Sequence, residues 1–228
     1  MTGIRTVEVE PAWPRTRGVR FRAAMPSVPA RTPSPPGPPS FGPKQESSVT
    51  AANEGTSRGT NAAGLEFTFT RDLDAPRELV WRAFTEPEHL RHWWGPKGFT
   101  MHSCTLDLRP GGVFHYLLRS PDGQEIWGKF VYREIIAPER LVAVVTFSDE
   151  HGNLTRHPWD PGWPVETLSA ITFAEHNGRT RLTVRWVPHN ATEAERGTFA
   201  AGHDSMRQGW TGTADQLAGY LAKARGEA

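Results

Sequence analysis

Beyond residue 64 the apolar positions fall into short runs of period two and one long run of period 3.6, which together predict an α+β domain. Leu65, Phe67 and Phe69 alternate with Glu66, Thr68 and Thr70, the pattern of a half-buried strand over 65–73. Asp74-Ala75-Pro76 reads as a helix start, with Asp74 as the N-cap carboxylate and a proline in the first turn, where its missing N–H costs nothing. Leu79, Val80, Ala83 and Phe84 supply the buried stripe of that helix. A second start follows at once, because Thr85 and Glu88 have capping-box spacing. Leu90, Trp93 and Trp94 are expected on one apolar face of this second helix, and Gly95-Pro96 ends it.

Six more strands are predicted at 100–108, 113–119, 125–135, 141–147, 167–175 and 180–187. Most of their connections are tight: Arg109-Pro110-Gly111-Gly112, Pro121-Asp122-Gly123, Ala137-Pro138-Glu139 and His176-Asn177-Gly178. Strands joined so closely pair antiparallel. Arg119, Lys129, Arg133, Arg181 and Arg185 mark the outward face, so the opposite parity turns Phe114, Tyr116, Leu118, Phe130, Tyr132, Ile171, Phe173, Leu182, Val184 and Trp186 inward. A one-residue bulge exchanges the faces, and Gly128 is the position marked for one. Near the carboxyl end Thr192 and Glu195 repeat the capping-box spacing. From about Asp204, Met206, Trp210, Ala214, Leu217 and Leu221 then recur three or four apart, as on a long helix lying across the sheet. Gly209, Gly212 and Gly219 inside that helix each cost up to ~1 kcal/mol relative to alanine. They point to close packing on the sheet, or to contact with something bound there.

Composition changes the picture only at the amino end. Half of the 20 prolines lie before residue 44, and segment 24–43 has no apolar period. Residues 1–64 are therefore expected to be a Pro/Arg-rich disordered tail, and 65–228 the folded domain. The tail holds eight Lys/Arg against four Asp/Glu, so the domain itself is mildly acidic and has no nucleic-acid footprint. Its arginines suit an organellar transit segment, but its prolines oppose the helix such a segment needs. A disordered extension, or a start codon assigned too far upstream, is the preferred reading. No run of apolar residues reaches the ~20 of a membrane span.

Candidate chemistry is sparse. A lone cysteine, Cys104, fits a reducing, cytoplasmic location and reads as a structural thiol within an alternating run. His89 and His92 are three apart on a helix without a third ligand at useful spacing. Segment 148–164 is longer than a hairpin needs, and loops of this length tend to be functional lids. Within it Asp149, His151, His157 and Asp160 have the side chains of cation ligands at irregular spacing, and no metal is expected. Trp159 and Trp163 are instead expected to fold over a cavity mouth, with His157 as a polar contact. No nucleophile elbow, phosphate loop or paired-carboxylate pattern is present, so no catalytic residue and no cofactor is assigned.

The order strand, two short helices, six strands, long helix now gains weight from several motifs in sequence. They are His92-Trp93-Trp94-Gly95-Pro96, the turn beginning at Asp107-Leu108, the Pro121-Asp122-Gly123 turn, the run G-x-F-x-x-x-E-I-x-x-P-E-R-L from Gly128 to Leu141, and Gln208-Gly209-Trp210. Over nearly all of 65–224 the chain resembles the helix-grip superfamily of START and Bet v-like (SRPBCC) proteins. The resemblance is closest to the bacterial branch related to activators of the heat-shock protein 90 ATPase. It implies a bent antiparallel sheet of about seven strands gripping the long helix, with a cavity between them.

The superfamily includes lipid and sterol carriers, cyclases and chaperone-binding proteins, so fold alone does not choose a function. The first reading is a cytoplasmic binder of a hydrophobic or aromatic small molecule or lipid. Its expected contacts are Phe114, Tyr116, Phe130, Tyr132, His157, Trp159, Trp163, Phe173, Trp186, Met206 and Trp210. A second is a polyketide cyclase or hydrolase-like pocket enzyme working through His115, Tyr116 or His203. A third is an interaction module resembling the chaperone activators, although residues 1–64 do not read as their companion domain. Candidate partners are accordingly a small molecule or lipid, a chaperone, or a second copy of the chain.

Overall fold

The computed structural model describes residues 65–226. The expectations for segment 1–64 lie outside the described residues. The elements run β1 (Phe67–Leu73), α1 (Arg77–Thr85), α2 (Pro87–Leu90), β2 (Thr100–Leu106), β3 (Val113–Arg119), β4 (Glu125–Ile136), β5 (Arg140–Ser148), β6 (Leu154–Thr155), β7 (Glu166–His176), β8 (Arg179–His189), α3 (Glu193–Ala201) and α4 (His203–Gly226). All strand pairs are antiparallel, in the order β1-β8-β7-β5-β4-β3-β2, with β6 added to β5. The sheet is bent and unclosed, with α4 as its long carboxy-terminal helix, so the α+β helix-grip expectation holds. Each strand read from alternation is present to within two residues at either end. Only β6 went unforeseen, since two residues carry no period.

Strand parity holds as well. Phe114, Leu118, Phe130, Tyr132, Ile171, Phe173, Leu182 and Val184 are all buried. Their partners across the ladder are also apolar or small: Phe114 faces Phe130, and Ile171 faces both Leu141 and Val184. The register slips lie at Met101/Ser103 and Tyr132/Glu134, so the bulge expected at Gly128 is not there. Gly128 pairs in register with Tyr116 on one side and Phe147 on the other. Its missing side chain makes room for the Tyr116 ring. A Cβ at 128 would lie 2.4 Å from the phenol Cζ and Oη.

Three local expectations about the first helices are corrected. Pro76, not Asp74, is the N-cap of α1, and no side chain caps it. The helix begins two residues later than predicted, which leaves the Asp74 carboxylate to pair with Arg179 at 3.3 Å and Arg225 at 3.2 Å. Thr85 is the last residue of α1 rather than the cap of α2. Its hydroxyl donates back to the Trp81 carbonyl at 2.8 Å. Glu86 caps α2 in extended conformation, with its carboxylate held by Arg82 and His89 rather than by the helix end. Finally, α2 stops at Leu90, and the Trp93 and Trp94 amides reach back to the Leu90 carbonyl from the turn beyond. The chain then exits through Gly95, whose φ of 123° no other residue adopts easily. By contrast, the Thr192–Glu195 capping box forms as expected, with both reciprocal bonds present at the start of α3.

Trp93 and α4 tie this turn to the sheet. The Trp93 ring packs 4.7 Å from Phe84 while its indole N–H donates to the Ala83 carbonyl at 3.0 Å, so a fully buried polar group is satisfied. On α4 the buried residues Met206, Gly209, Trp210, Thr213, Ala214, Leu217 and Leu221 form the inward face. Gln216, beside that face, donates to the carbonyls of Trp93 (3.2 Å), Gly95 (2.7 Å) and Pro96 (3.3 Å). One side-chain amide therefore fastens the long helix to the turn that follows α2. At the sheet edge, Arg71 of β1 pairs with Asp215 at 2.7 Å.

Candidate ligand cavity

Between the inward sheet face, α4 and the segment joining β5 to β7 lies a cavity of about 150 Å³. β3, β4 and β5 contribute Tyr116, Leu118, Ile126, Phe130, Val145 and Phe147; β7 and β8 contribute Thr167 and Trp186. α4 adds Met206, Gly209, Trp210 and Thr213. Trp94, Pro96 and Phe99 close one side, and His157, Trp159, Trp163, Pro164 and Val165 close another. Among the described residues no Lys, Arg, Asp or Glu lines this space. Burying an unpaired charge there is therefore strongly disfavoured.

The aromatic rings hold one another largely edge to face. Trp94 meets Tyr116 at 5.8 Å, Phe130 at 5.5 Å and Trp210 at 6.4 Å, each at 73° or more. Trp186 meets Trp210 at 5.6 Å, and its indole N–H donates to Ser169 Oγ at 2.9 Å. Such pairs fix ring orientation, so the walls are set by packing within the sheet and helix rather than by a bound molecule.

Two titratable groups reach the cavity. Burial pushes the Tyr116 phenol up to about 12, opposed in smaller part by hydrogen bonding with Trp94, so the hydroxyl keeps its proton at physiological pH. Burial pushes His157 below its ordinary value, and the nearby Asp160 carboxylate only partly restores it. His157 Nδ1 accepts from the backbone amides of Trp159 (3.2 Å) and Asp160 (3.1 Å), which places the ring hydrogen of the neutral form on Nε2. Its ring also meets Phe147 at 4.6 Å and Trp163 at 5.8 Å. The segment is tied down at its far side, where Arg156 bonds to Glu195 of α3 at 3.1 Å. Trp163 packs 5.3 Å from Phe199 and fills the space a side chain at Gly202 would need.

The structure brings eight of the eleven sequence-expected contacts around this one space: Tyr116, Phe130, His157, Trp159, Trp163, Trp186, Met206 and Trp210. Phe114 and Tyr132 border a separate void of about 10 Å³ instead, and Phe173 is core, wedged against Trp81 (5.5 Å) and Phe84 (5.0 Å). Strand parity put all three on the inward face but carries no information on depth along it. Sequence reasoning missed Trp94. It was grouped with Trp93 on one face, yet adjacent residues point about 100° apart on a helical turn, and although both rings meet Phe84 of α1, Trp94 does so only edge-on at 6.2 Å. Trp93 packs closer, at 4.7 Å, and stays out of the cavity, whereas Trp94 lines it. Gly209 also lines the cavity, a Cβ at Gly212 would make only ordinary contact with Lys97, and nothing in the structure requires glycine at 219.

The other candidate groups have structural employment. Cys104 is buried, and burial raises its thiol, which removes thiolate character. His115 lies on the outward face, bonded to Ser148 Oγ and the Asp149 carbonyl at 3.1 Å and stacked on Trp127. His203 packs between Phe67 and Phe199 and does not line the cavity. The Asp149 carboxylate accepts from the His151 and Asn153 amides and closes its own turn. Among the described residues no His, Cys, Asp and Glu gather as a metal cluster, and no helix is long and apolar enough to cross a membrane.

A long helix held by a bent antiparallel sheet defines the START-like helix-grip class. The chain belongs to the family of activator of Hsp90 ATPase homolog 1-like proteins, whose model matches residues 74–222. Solved structures agree in fold. A protein of Nitrosomonas europaea is similar at 28% identity with a TM-score of 0.58, over 72% of this chain and 98% of its own. Ms6760 of Mycobacterium smegmatis is similar at 26% and 0.57, over 70% and 91%. A protein of Arthrobacter aurescens is similar at 26% and 0.57, over 71% and 88%. No functionally curated protein matches.

Proposed function

We propose that this domain binds a hydrophobic small molecule in the cavity beneath α4, without covalent chemistry of its own, and does so in the cytoplasm. The single observation behind this reading is the lining: a concave space with five tryptophans and, among the described residues, no charged side chain. A pocket of that make-up is the usual form of a small-molecule site. In this reading segment 149–165 is the lid, with Trp159, which is 44% exposed, at its outer edge.

The cyclase-like alternative has less to stand on. Of its three candidate residues only Tyr116 lines the cavity, and a phenol at about 12 is a poor base at neutral pH. The chaperone reading rests on the family's description alone. Titration with isopropylbenzene, followed by tryptophan emission, tests the binding reading. Saturable change with one site per chain supports it, and a flat response up to the probe's solubility removes it. A pull-down with the chaperone tests the other.

A further inference from the structure

The polar atoms on the cavity wall restrict what the ligand must carry. Tryptophan indoles only donate hydrogen bonds. The Thr213 hydroxyl has already given its proton to the Gly209 carbonyl at 2.9 Å, while the Thr146 hydroxyl, which also borders the space, is buried without a partner among the described residues and can donate as well as accept. No carboxylate or carboxamide side chain of the described residues lines the space. Tyr116 lines the space with its Oη in the room left by Gly128, its ring edge-on to Trp94 and 4.8 Å from Phe114. Among the described residues the Tyr116 hydroxyl proton has no acceptor, whereas the buried donors of Trp93 and Trp186 each have one. Its oxygen already accepts from the Trp94 indole, so what a bound molecule or a water can add is an acceptor for the hydroxyl proton.

Resting on the reading of the cavity as a binding site, the geometry points to Tyr116 as the ligand's hydrogen-bond donor. The ligand is then an uncharged molecule with a ring-sized apolar body and one carbonyl or ether oxygen. Size agrees with this. A cavity of about 150 Å³ lined by apolar side chains takes a single benzene-sized body. Charge agrees too, because neither a carboxylate nor an ammonium finds a counter-ion on the wall. The raised phenol keeps the donor proton in place across the physiological range. Gly128 belongs to the same device, since any side chain there pushes the hydroxyl from its position.

Three probes of similar shape separate the possibilities: acetophenone with a carbonyl, isopropylbenzene without one, and benzoate with a charge. Affinities come from indole N–H shifts in proton–nitrogen spectra of the full chain and of Tyr116→Phe. The expected result is that the wild type binds both neutral probes and not benzoate. Tyr116→Phe then loses about tenfold in acetophenone affinity, the order of one net hydrogen bond, and keeps isopropylbenzene within about twofold. Equal effects on the two neutral probes, or none on either, overturn the donor role while leaving the cavity as a binding site. Failure of the wild type to bind any probe overturns the binding reading itself. Benzoate binding as tightly as acetophenone overturns the requirement for an uncharged ligand. Should Tyr116→Phe not fold, the carbon-13 shift of Tyr116 Cζ in the wild type decides instead. It moves with acetophenone beyond its response to isopropylbenzene if the donor role is right, and equally with both if it is wrong.

Discussion

Gly128→Ala separates folding from ligand capacity at one atom. The position makes no conformational demand for glycine, because its φ is not positive and it sits in unbroken register between Tyr116 and Phe147. What it supplies is space. The added methyl would sit 2.4 Å from Cζ and Oη of Tyr116 and 2.9 Å from Cε2. The distance to Cζ is about 1 Å or more inside the ordinary carbon contact of about 3.5–4.0 Å. The ring must therefore move, and with Phe114 packed at 4.8 Å and Trp94 across it at 5.8 Å, the open direction is the cavity. Overpacking costs about 1–3 kcal/mol, and relief of glycine's backbone entropy in a strand returns roughly 0.5–1 kcal/mol. The net loss of about 0–2.5 kcal/mol lowers the melting temperature by up to about 10 °C for a domain of this size. Ligand capacity falls much further, because the phenol now occupies the space. Isopropylbenzene affinity should drop at least about tenfold, measured well below the melting temperature. Unchanged affinity in a folded Gly128→Ala protein would refute the reasoning, as would a melting temperature that rises while binding is kept.

Three further outcomes are expected. Gln216→Ala strands three carbonyls at the end of the Trp93 turn and should cost about 1–3 kcal/mol in urea denaturation; a loss below about 0.3 kcal/mol would show the amide to be idle. Phe173→Ala should cost about 3–5 kcal/mol, because the ring is 2% exposed and packed on Trp81 and Phe84. It should leave isopropylbenzene affinity unchanged, since Phe173 does not line the cavity. For pH, His157 is held below its ordinary value of about 6.5 by burial, so below pH ~6.5 the unfolded chain takes up a proton that the folded one resists. Stability should then decline as pH falls from about 7 towards 5, with His203, depressed chiefly by burial, adding a term of the same sign. His157→Asn should flatten part of that slope in melting curves, and an identical slope would contradict the assignment.

The fold was legible because its signals are repeated. Seven strands each alternate, and the inward face read from Arg119, Lys129, Arg133, Arg181 and Arg185 matches burial at Phe114, Phe130, Ile171 and Leu182. Helix caps were legible where both halves of the box sit in one turn, as at Thr192 and Glu195. They failed at Asp74, where the helix starts two residues later and Arg179 and Arg225 take the carboxylate, and at Thr85, which ends α1 instead of capping α2. Cavity residues were legible only as a parity class. Periodicity tells which face Phe173 and Trp186 share, but whether each meets another side chain or a void depends on how α4 crosses the sheet. That crossing is set partly by Gln216, whose bonds span more than 100 positions and leave no local pattern. Trp94 and Gly128 escaped for the same reason: one looked like a fold signature and the other like a bulge, and only the assembled packing shows that both border the cavity.

The most direct measurement of the central claim is a crystal structure of the domain soaked with isopropylbenzene. Ordered density for one ring among Trp94, Tyr116, Trp186, Met206 and Trp210, with walls unmoved, is the predicted result. A space filled by rotated side chains in both soaked and unsoaked crystals would contradict it.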